Sequence, residues 1–584
     1  MGMGRGLVAR FVRHHWIWYL FALVTVGASK AIQVQIPNII GDFINQFRTG
    51  ATLGAVERYA LELAVVSLLY VVLFGFGQYT VNKMARVFEA DLRHRLFEHW
   101  ETLESHYFHR HTVGDLLSHV LNDVPAVRQA MGGGVSQILQ AVFLFAATLF
   151  MTLGHINVGL TVVALIPLLC IPVVVVYLGP KIRRQSRLVQ ESLSAMSDLA
   201  EESLASIRLV KSTANESVET RRFAEKTDVI YDESMQQVRL NTAFQALIPL
   251  LTGISFAIAL SYGGDLALTH QISLGAFVAF TVYLSMLVRP LMQFGNVINI
   301  FQNSSASLVR IQTLLDAQPT ITDPENPEPF PEHADIRIAN LTYHYPDSAH
   351  PVLDHINVTI PAGSTLGIVG RTGAGKTTLV SLLLREIDPP PGTIFFNEVD
   401  IRNVHRKTLR SEITYVPQDG FLFSTSVGNN IAFPIDAAVP DSDLERAAGN
   451  AQILATVQAL PDRFDTVVGE RGINLSGGQR QRVAMARALI KTHAQIVIFD
   501  DSLSAVDSRT ETEILRNLAE LKRQGRTTIV ISHRLSSLRD ADAVLVLDGG
   551  RVAQYGTPQE LIRQPGLYAR LYAIQSEGGA SSGS

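Results

Sequence analysis

The stretch IVIFDDSLSAVD occupies residues 496–507. Four apolar residues followed by two adjacent carboxylates, Asp500 and Asp501, predict a buried strand that presents acid at its C-terminal end. Short apolar runs ending in Asp are common in α/β proteins, so a buried strand closed by a solvated turn explains these residues equally well on their own. The choice between the two interpretations depends on whether the chain also supplies a phosphate-binding loop.

Such a loop lies upstream, at residues 370–377, where GRTGAGKT fits the pattern G-x-x-x-x-G-K-[ST]. A predicted strand precedes it and a predicted helix follows, so its glycines fall at a strand-to-helix turn. Gly373 and Gly375 let backbone N–H groups converge on phosphate oxygens at a helix N-terminus. Lys376 is expected to reach the β- and γ-phosphates, and the Thr377 hydroxyl to join a Mg²⁺ shell. The loop therefore predicts a nucleoside triphosphate site.

The composition points to a membrane protein. Of the 584 residues, 47% are hydrophobic and only 17% are charged, which is rich in apolar residues for a soluble chain. The apolar excess lies before residue 300, in segments long enough to cross a bilayer at about 20 residues per helix. Six spans are predicted, at residues 16–40, 59–79, 135–153, 158–178, 243–268 and 274–294. The net charge of −4 favours neither nucleic acid nor an acidic partner.

The loops between the predicted spans set the orientation. The two long loops follow the second and fourth spans, and the later one carries ten Lys or Arg between Lys181 and Arg239. Because basic residues favour the cytoplasmic side, the long loops and both termini are expected on the cytoplasmic side of the cell membrane. The first 15 residues are basic and partly apolar, which predicts a helix along the membrane surface rather than a cleaved signal peptide.

Two cytoplasmic segments are candidates for coupling to another domain, at residues 107–124 and 206–216. Each is predicted to form a short turn or helix at the tip of a helical hairpin. A solvated hairpin tip explains both equally well, because hairpin ends need turns. Residues 131–134, MGGG, predict a flexible connection into the third span. The single cysteine, Cys170, excludes an internal disulfide and is expected to be a buried thiol.

Ionisable and polar groups also occur inside the predicted spans. Lys30 and Gln33 lie in the first span, shortly before Pro37, and Arg289 precedes Pro290 in the sixth. At membrane depth such groups usually face a bundle interior or a wet cavity, which makes Lys30, Gln33 and Arg289 candidates for a substrate pathway. Snorkelling to the interface or an interhelical hydrogen bond is the competing explanation.

The domain organisation follows from a change in composition. Residues 1–320 are predicted to form a polytopic α-helical membrane domain, and a proline-rich, acidic stretch opens a linker over residues 321–334. From residue 335 to 575, β-branched strands alternate with helices, as in an α/β nucleotide-binding domain. Residues 576–584 have the composition of a disordered tail.

A second anion-binding device lies at residues 475–479, LSGGQ, where a Ser-Gly-Gly turn precedes a helical pattern. One domain has little need of two such devices for one triphosphate, so this one is expected to close over a nucleotide held by another copy of the fold. Together GRTGAGKT, LSGGQ and IVIFDDSLSAVD resemble an ATP-binding cassette (ABC). With six preceding spans, nearly the whole chain resembles a half-size exporter of that family, a helical membrane domain fused to a P-loop ATPase.

The resemblance implies ATP and Mg²⁺ as cofactors. Asp500, Thr377 and Gln418 match the metal-binding positions, in keeping with the preference of Mg²⁺ for oxygen ligands. Asp501, His533 and Gln418 match the catalytic positions, where His533 is expected to hydrogen-bond the γ-phosphate. The positions implied to bind nucleotide are Tyr345, Gly370, Thr372, Gly373, Ala374, Gly375, Lys376, Thr377, Thr378, Leu475, Ser476, Gly477, Gly478, Gln479 and Asp507.

Three of the matched residues have distinct roles in the family. Tyr345 in TYHYP matches the aromatic residue that stacks on adenine, and Asp507 in SAVD matches the D-loop. Glu470 in VGERG matches a loop that contacts the transmembrane domains. The order of all these motifs along the chain agrees with the family pattern.

One position departs from that pattern. Family members that hydrolyse ATP rapidly have Glu where this chain has Asp501, and Asp is shorter by one C–C bond, about 1.5 Å. A general base must lie within about 2.6–3.2 Å of its proton and contributes roughly 10²–10⁴-fold, so slow turnover is expected. An intact LSGGQ beside a weakened base resembles the degenerate-site subunit of heterodimeric bacterial exporters, which implies a partner half-transporter that carries the glutamate.

The leading interpretation is therefore one half of an exporter that moves amphipathic drugs, lipids or peptides across the cell membrane. A homodimeric lipid translocase is the first alternative, and a regulatory ATP-binding subunit or ATP-gated channel is the second. Six spans exclude a soluble cassette protein. Apolar cavities with a few polar groups suit drugs, lipids and peptides alike, so the motifs do not choose among them.

Overall fold

The computed structural model describes residues 3–50, 52–346, 348, 350–469, 472, 474–504 and 506–580. Glu470, placed above in a loop that contacts the membrane domain, lies outside these residues. The chain divides into two compact units. The first comprises Met1–Leu103 and Tyr107–Gln318, and the second comprises Glu104–His106 and Pro319–Ser584. The Glu104 carboxylate accepts hydrogen bonds from the backbone N–H groups of Thr320 and Ile321, which explains its place in the second unit.

The first unit is helical. In the part of the chain that the structure describes, six helical segments are long and apolar enough to cross a membrane: Trp16–Arg48, Leu53–Thr102, Val113–His155, Val158–Ala205, Glu216–Leu268 and Leu274–Leu315. These confirm the six predicted spans. A bilayer needs about 20 residues, or 30 Å of helix, whereas 50 residues extend about 75 Å, so the helices continue well beyond a bilayer. The shorter helices outside the spans are Met3–His14, Ser105–Arg110 and Ile207–Ser212.

The first span is two helices, Trp16–Gln33 and Gln35–Arg48, joined at Val34. Pro37 lacks an N–H group and its ring crowds the preceding turn, which accounts for a break at this place. The hydroxyl of Tyr283, a residue of the sixth span, lies 2.7 Å from the Val34 carbonyl oxygen. A polar side chain from a neighbouring helix thus satisfies a carbonyl at the break, as the absence of water in a bilayer requires.

The first and sixth spans approach each other most closely at two glycines. A Cβ atom added to Gly275 would overlap the carbonyl oxygen of Gly41, and one added to Gly41 would lie 2.7 Å from the Gly275 carbonyl oxygen. Asn45 closes the contact, since its Oδ1 accepts from the Gly275 N–H at 2.8 Å and its Nδ2 donates to Ser273 Oγ at 3.0 Å. Small residues allow this approach in a bilayer, where packing and hydrogen bonds drive helix association.

The third span is assembled from consecutive helical pieces, Val113–Ser118, His119–Asp123, Val124–Gln129, Ala130–Gly134 and Val135–His155, the second and fourth of them π-helical. Its first turn begins after Thr112, whose hydroxyl accepts from the Asp115 N–H. Asp123 is buried and accepts from Ser307 Oγ at 2.8 Å and from Arg310 Nε at 3.0 Å. These bonds fix the end of the first candidate coupling segment to the sixth span.

Two local predictions are wrong. Residues 131–134 are part of the π-helical turn Ala130–Gly134 and not a flexible connection, because the small glycines let the turn pack: a Cβ at Gly132 would lie 3.1 Å from that of Ala85. Cys170 is exposed rather than buried. An apolar run in a membrane span presents one side to lipid, so apolar neighbours along the sequence do not imply burial.

Within the residues that the structure describes, the second unit has ten strands in two sheets. The strands are β1 (Ile336–Tyr343), β2 (Leu353–Ile360), β3 (Thr365–Gly370), β4 (Ile394–Phe396), β5 (Val399–Asp400), β6 (Ile413–Val416), β7 (Ile496–Asp500), β8 (Thr527–Ile531), β9 (Ala543–Asp548) and β10 (Arg551–Gly556). The smaller sheet has the order β2-β1-β4-β5 with antiparallel pairs. The larger has the order β10-β9-β3-β8-β7-β6, in which only β10 is antiparallel to its neighbour.

Strand β7 lies inside the larger sheet and is buried on both faces. Val497 and Phe499 belong to one hydrophobic core, while Ile496 and Ile498 belong to the core on the opposite face. A parallel strand covered on both sides needs a nearly continuous apolar sequence, which explains the run IVIF. The predicted buried strand that delivers Asp500 is therefore present, within the predicted α/β P-loop domain.

The helices of the second unit, apart from short 3₁₀ turns, are Lys376–Leu383, Arg406–Glu412, Val427–Ala432, Asp441–Asn450, Leu454–Gln458, Gly477–Leu489, Ser508–Arg523, Pro558–Arg563 and Leu567–Ala580. The last of these includes residues 576–580, where the composition predicted a disordered tail. Its backbone stays helical past the apolar residues, and Ser576 Oγ donates to the Ala573 carbonyl oxygen at 2.9 Å. The rest of the predicted tail lies outside the described residues.

The contact between Gly41 and Gly275 makes a direct prediction. Replacement Gly275→Ala should separate the first and sixth spans, because backbone and not a flexible side chain stands in the way of the new methyl group; overpacking of this kind costs about 1–3 kcal/mol or more. The unfolding temperature in a non-ionic detergent should fall. Gly264→Ala is the control, since no described atom outside its own helical turn lies within 4 Å of its Cβ position. Equal unfolding temperatures of the two variants would contradict the packing described.

Candidate nucleotide site

The larger sheet brings four motifs to one edge. Strands β3, β8, β7 and β6 are consecutive neighbours and parallel, so their C-terminal ends lie side by side. In that order they are followed by the phosphate-binding loop, by His533, by Asp500 and Asp501, and by Gln418. Ligands of open α/β sheets bind at this carboxyl edge.

The phosphate-binding loop has the backbone that its glycines allow. Gly373 and Gly375 have φ angles of 81° and 94°, a region that costs other residues strain. A Cβ at Gly375 would lie 2.6 Å from Leu353 Cδ2, so that position also needs the missing side chain. Lys376 is buried, and its ammonium donates to the carbonyl oxygens of Gly370 at 2.9 Å and Arg371 at 3.0 Å.

The remaining loop residues divide between a buried and an exposed side. Ala374 and Thr378 are buried, whereas Thr372, Gly373 and Thr377 are exposed. The Tyr345 hydroxyl lies 3.2 Å from Thr378 Oγ1, so the predicted adenine-stacking residue is joined to the helix that the loop begins. The structure thus brings Tyr345 and the loop together.

Asp500 is the buried acid of the site. Burial raises the pKa of its carboxyl, as does the nearby Asp501, although the Tyr415 hydroxyl, Lys376 and His533 act in the opposite direction. The Tyr415 hydroxyl donates to Asp500 Oδ2 at 3.3 Å. Burial also lowers the pKa of Lys376, opposed by Asp500 and Asp501, which places all three charges in one electrostatic cluster.

Asp501 follows in a left-handed backbone conformation, with φ of 44°. Its carboxyl is buried, and Oδ1 lies 3.4 Å from the backbone nitrogen of His533. The His533 side chain itself is exposed. The site therefore holds the short carboxylate against the backbone of the switch loop, beside the exposed imidazole.

Gln418 connects the site to the LSGGQ helix. Its side chain is exposed, but its carbonyl oxygen accepts from Nε2 of the buried Gln481 at 3.1 Å. Gly420 lies against the same helix, since a Cβ there would be 3.0 Å from the backbone of Gln481. This link was not predicted, because nothing in the sequence around Gln481 marks its side chain as the donor.

LSGGQ forms the start of the helix Gly477–Leu489. Ser476 Oγ accepts from the Gln479 N–H at 3.2 Å, while Gln479 Oε1 accepts from the Ser476 N–H at 2.8 Å, a reciprocal capping box. Among the described residues, no hydrogen bond or ion pair joins residues 475–479 to the phosphate-binding loop of the same chain. The helix start, with Leu475, Gly477 and Gly478 around it, is thus an element of its own within the unit.

An arginine that sequence analysis missed, Arg534, connects the backbone just before Asp507 to the segment that carries His533. Asp507 Oδ1 accepts from the Thr510 N–H at 3.0 Å, and this bond lowers the pKa of its carboxyl. Arg534, next to His533, donates to the Ser504 carbonyl oxygen at 2.9 Å and to the buried Glu511 at 3.0 Å. The D-loop backbone and the histidine are thus held by adjacent residues.

The candidate substrate-pathway residues lie in the first unit. Lys30 is buried, and its ammonium donates to Gln33 Oε1 at 2.9 Å. Arg289 is exposed. The hydrogen bond of the Lys30 ammonium stays within one helix, and the described residues include no hydrogen-bond partner for Arg289.

The residues at the sheet edge fit ATP with Mg²⁺. The loop supplies backbone N–H groups and Lys376 for phosphates. Asp500, Thr377 and Gln418 supply carboxylate, hydroxyl and amide oxygens, the ligand types that Mg²⁺ prefers. Thr377 and Gln418 are exposed and Asp500 is buried, which suits a metal shared between protein and a solvent-facing ligand.

Comparisons with known proteins match both units. Residues 16–291 match the family described as ABC transporter transmembrane region, and residues 353–504 match the family described as ABC transporter. A probable multidrug resistance ABC transporter ATP-binding/permease protein of Bacillus subtilis, YheI, is 35% identical over 98% of each chain. The multidrug resistance-like ATP-binding protein MdlA of Escherichia coli is 33% identical over 97% of this chain and 95% of that protein.

Two further similarities concern lipid transport and structure. An ATP-dependent lipid A-core flippase of Desulfotalea psychrophila is 31% identical over 95% of this chain and 96% of the flippase. The solved structure of a bacterial Atm1-family ABC exporter with ATP bound superimposes with a TM-score of 0.75 at 27% identity, covering 96% of this chain and 99% of that one.

The raised pKa of Asp500 makes a prediction with two parts. When the pKa of a carboxyl is higher in the folded than in the unfolded protein, the folded state loses stability as the pH rises from the unfolded-state pKa to the folded-state pKa. Ionised Asp500 therefore destabilises the nucleotide-free protein at neutral pH. Asp500→Asn should raise the unfolding temperature without nucleotide and abolish the additional stabilisation by Mg²⁺ in the presence of ATP.

Asp548→Asn is the matched control, because Asp548 ends strand β9 of the same sheet and is exposed. It should leave both measurements unchanged. A Mg²⁺-dependent increment that survives in Asp500→Asn would show that Asp500 does not hold the metal.

Proposed function

The chain belongs to the ATP-binding cassette exporters, and on that premise we propose that it is one half of a heterodimeric exporter whose own ATP site hydrolyses slowly. The observation that carries the proposal is Asp501 at the position of the catalytic base. The membrane unit, with six spans, and the fused ATPase unit supply the two parts that any exporter of this family needs. The partner is a second half-transporter that carries a glutamate in the corresponding position.

The weak base is supported by its surroundings. The Asp501 carboxyl ends about 1.5 Å short of where a glutamate would reach, and its Oδ1 faces the backbone nitrogen of His533 at 3.4 Å. A base outside about 2.6–3.2 Å of the proton that it must take loses most of its effect. Asp501 therefore positions the attacking water poorly, and the site keeps bound ATP intact for longer than a glutamate site would.

The intact signature serves the other site. The capping box formed by Ser476 and Gln479 holds the helix start open for an anion, and no bond ties it to this chain's own phosphate loop in the described part of the structure. When the two ATPase units associate so that each LSGGQ motif covers the other's phosphate-binding loop, Ser476 and its neighbours face the partner's nucleotide. There the partner's glutamate acts as the base for ATP hydrolysis. One site turns over and the other acts as a clamp.

Each residue of this chain's site then has a defined task. Lys376 leaves the carbonyl oxygens that it contacts and neutralises the β- and γ-phosphates, Tyr345 stacks on adenine, and His533 donates to the γ-phosphate. Asp500, Thr377 and Gln418 are the proposed ligands of Mg²⁺, which when bound neutralises charge on the phosphates.

Two backbone links carry movement within the nucleotide unit. The hydrogen bond from Gln481 to the Gln418 carbonyl connects the loop that carries Gln418, a proposed metal ligand, to the LSGGQ helix. The bonds of Arg534 tie the switch histidine to the D-loop backbone. ATP binding at one site thereby alters the surfaces that meet the partner. Binding drives closure only through the difference in ATP affinity between open and closed states.

The transported molecules are amphipathic. One relative is named for multidrug resistance and another as a lipid A-core flippase, and these names support drugs and lipids as substrate classes. The chain lies in the cell membrane with its ATPase unit and termini on the cytoplasmic side, as the basic long loops favour, and the lipid bilayer and a hydrophobic or amphipathic small molecule, lipid or peptide are its other partners.

A homodimeric lipid translocase is the second candidate. The similarity to lipid A-core flippases over nearly the full chain favours it. It requires that two copies of the Asp501 site sustain transport.

The first test replaces the base. The full chain purified alone in detergent should hydrolyse ATP slowly, and Asp501→Glu should raise steady-state ATPase activity by about 10² or more, because the longer side chain reaches the water. Lys376→Ala in the same background should remove the gain, which shows that it arises at this site. Fast hydrolysis by the unmodified chain that Asp501→Ala abolishes would exclude a weak site and favour the homodimer.

The second test separates the two sites in the assembled pair. Ser476→Ala should abolish most ATPase activity, since this serine serves the partner's hydrolytic site, whereas Asp501→Ala should change it less than about twofold. Thr557→Ala is the structural control because it removes an equivalent capping box, on the helix Pro558–Arg563, at a similar cost of about 1 kcal/mol. If Asp501→Ala inactivates the pair as fully as Ser476→Ala, the proposed division of labour is wrong.

A further inference from the structure

Lys30 and Arg289, both inside predicted membrane spans, have no acidic partner among the residues that the structure describes. Lys30 is only 4% exposed, and the single hydrogen bond of its ammonium goes to the uncharged Gln33. Arg289 is exposed and forms no hydrogen bond or ion pair with any residue that the structure describes. Ionisable groups at membrane depth are usually paired or face a cavity, so two unpaired cations of the same sign need an explanation.

The two cations lie near each other at similar depth. The close contact of Gly41 with Gly275 sets the first and sixth spans side by side. From that contact, Lys30 is about 17 Å and Arg289 about 21 Å along the respective helices, at a rise of 1.5 Å per residue. Arg289 is within electrostatic range of both the Lys30 ammonium and the Tyr70 side chain.

The other neighbours of Lys30 lower the free-energy cost of burying its ammonium without neutralising its charge. The ammonium lies 4.7 Å from the centre of the Phe74 ring and 5.2 Å from that of Tyr70. These two rings are themselves stacked at 5.8 Å. Aromatic faces and an amide oxygen attract a cation, but they are neutral, so Lys30 and Arg289 together keep two positive charges in a region of low dielectric.

We propose that Lys30 and Arg289 bind the oxyanion head group of the transported amphiphile. The inference rests on the proposed export of amphipathic substrates and narrows it to anions with a phosphate or carboxylate head. A guanidinium matches such oxyanions as a planar fork, and an ammonium adds a point charge. Gln33 and the two rings hold the Lys30 ammonium in place. Cationic amphiphiles are repelled from the same position.

The test measures ligand binding without nucleotide, so that its outcome is independent of the ATPase experiments above. The protein, purified in a non-ionic detergent, is titrated with dodecyl phosphate, dodecyltrimethylammonium or inorganic phosphate, and its unfolding temperature is followed. Dodecyl phosphate should raise the unfolding temperature in a saturable way, whereas the cationic amphiphile should not. Inorganic phosphate should act far more weakly, because it lacks the apolar part.

Variants connect the effect to the two residues. Lys30→Gln and Arg289→Gln should each weaken dodecyl phosphate binding by about tenfold, the loss of one charge-assisted hydrogen bond. Arg289→Lys should keep part of the affinity. Arg289 is exposed, so its variants test the proposal even where Lys30→Gln impairs folding. Lys83→Gln is the control, because the Lys83 ammonium also lies over an aromatic ring, that of Trp18 at 5.5 Å, outside this pair.

Three results would overturn the proposal. Equal stabilisation by the cationic amphiphile would remove the preference for anions. Equal affinity for inorganic phosphate would show a site for free anions instead of an amphiphile. Unchanged affinity in Arg289→Gln, or the same loss in Lys83→Gln, would show that the two cations do not form the binding position.

Discussion

The parallel pairing of β3, β8, β7 and β6 is the constraint on which the nucleotide unit depends. Parallel strands end at the same edge, so residues far apart in the chain, such as Lys376 and Asp500, meet there without any contact having to be specified between their loops. Burial of both faces of β7 fixes the register, since a shift by one residue would exchange the two cores that flank it. The same burial puts an acid in a place where its charge is costly unless a cation is bound.

Function enters as a small asymmetry in this frame. Asp500 and Asp501 are adjacent and both buried, yet their surroundings differ: Asp500 ends the strand, and Asp501 turns back towards the His533 backbone. In the proposed function, the missing methylene at the second acid makes this chain depend on another polypeptide for fast hydrolysis. In the membrane unit, Lys30 and Arg289 carry positive charge without an acidic partner among the described residues.

The sequence predicted those parts of the fold that depend on local pattern. The glycines of the phosphate loop, the apolar run of β7 and the long apolar spans each have a signature in consecutive residues, and each is found. Contacts made by ordinary residues across long separations had none. Nothing near Arg534 or Gln481 indicates that one holds the D-loop and the other the Gln418 carbonyl. Cys170 was predicted to be buried and is exposed, because hydropathy measures apolar character and does not distinguish lipid from protein neighbours.

The central claim is that the site formed by this chain's phosphate loop keeps ATP intact while its partner's site hydrolyses. The most direct measurement labels the assembled pair by photolysis during turnover with azido-ATP that carries radioactivity on either the α- or the γ-phosphate. The account predicts that this chain retains both labels in nearly equal amounts, whereas the partner retains the α label and loses the γ label. Loss of the γ label from this chain at the partner's rate would contradict it.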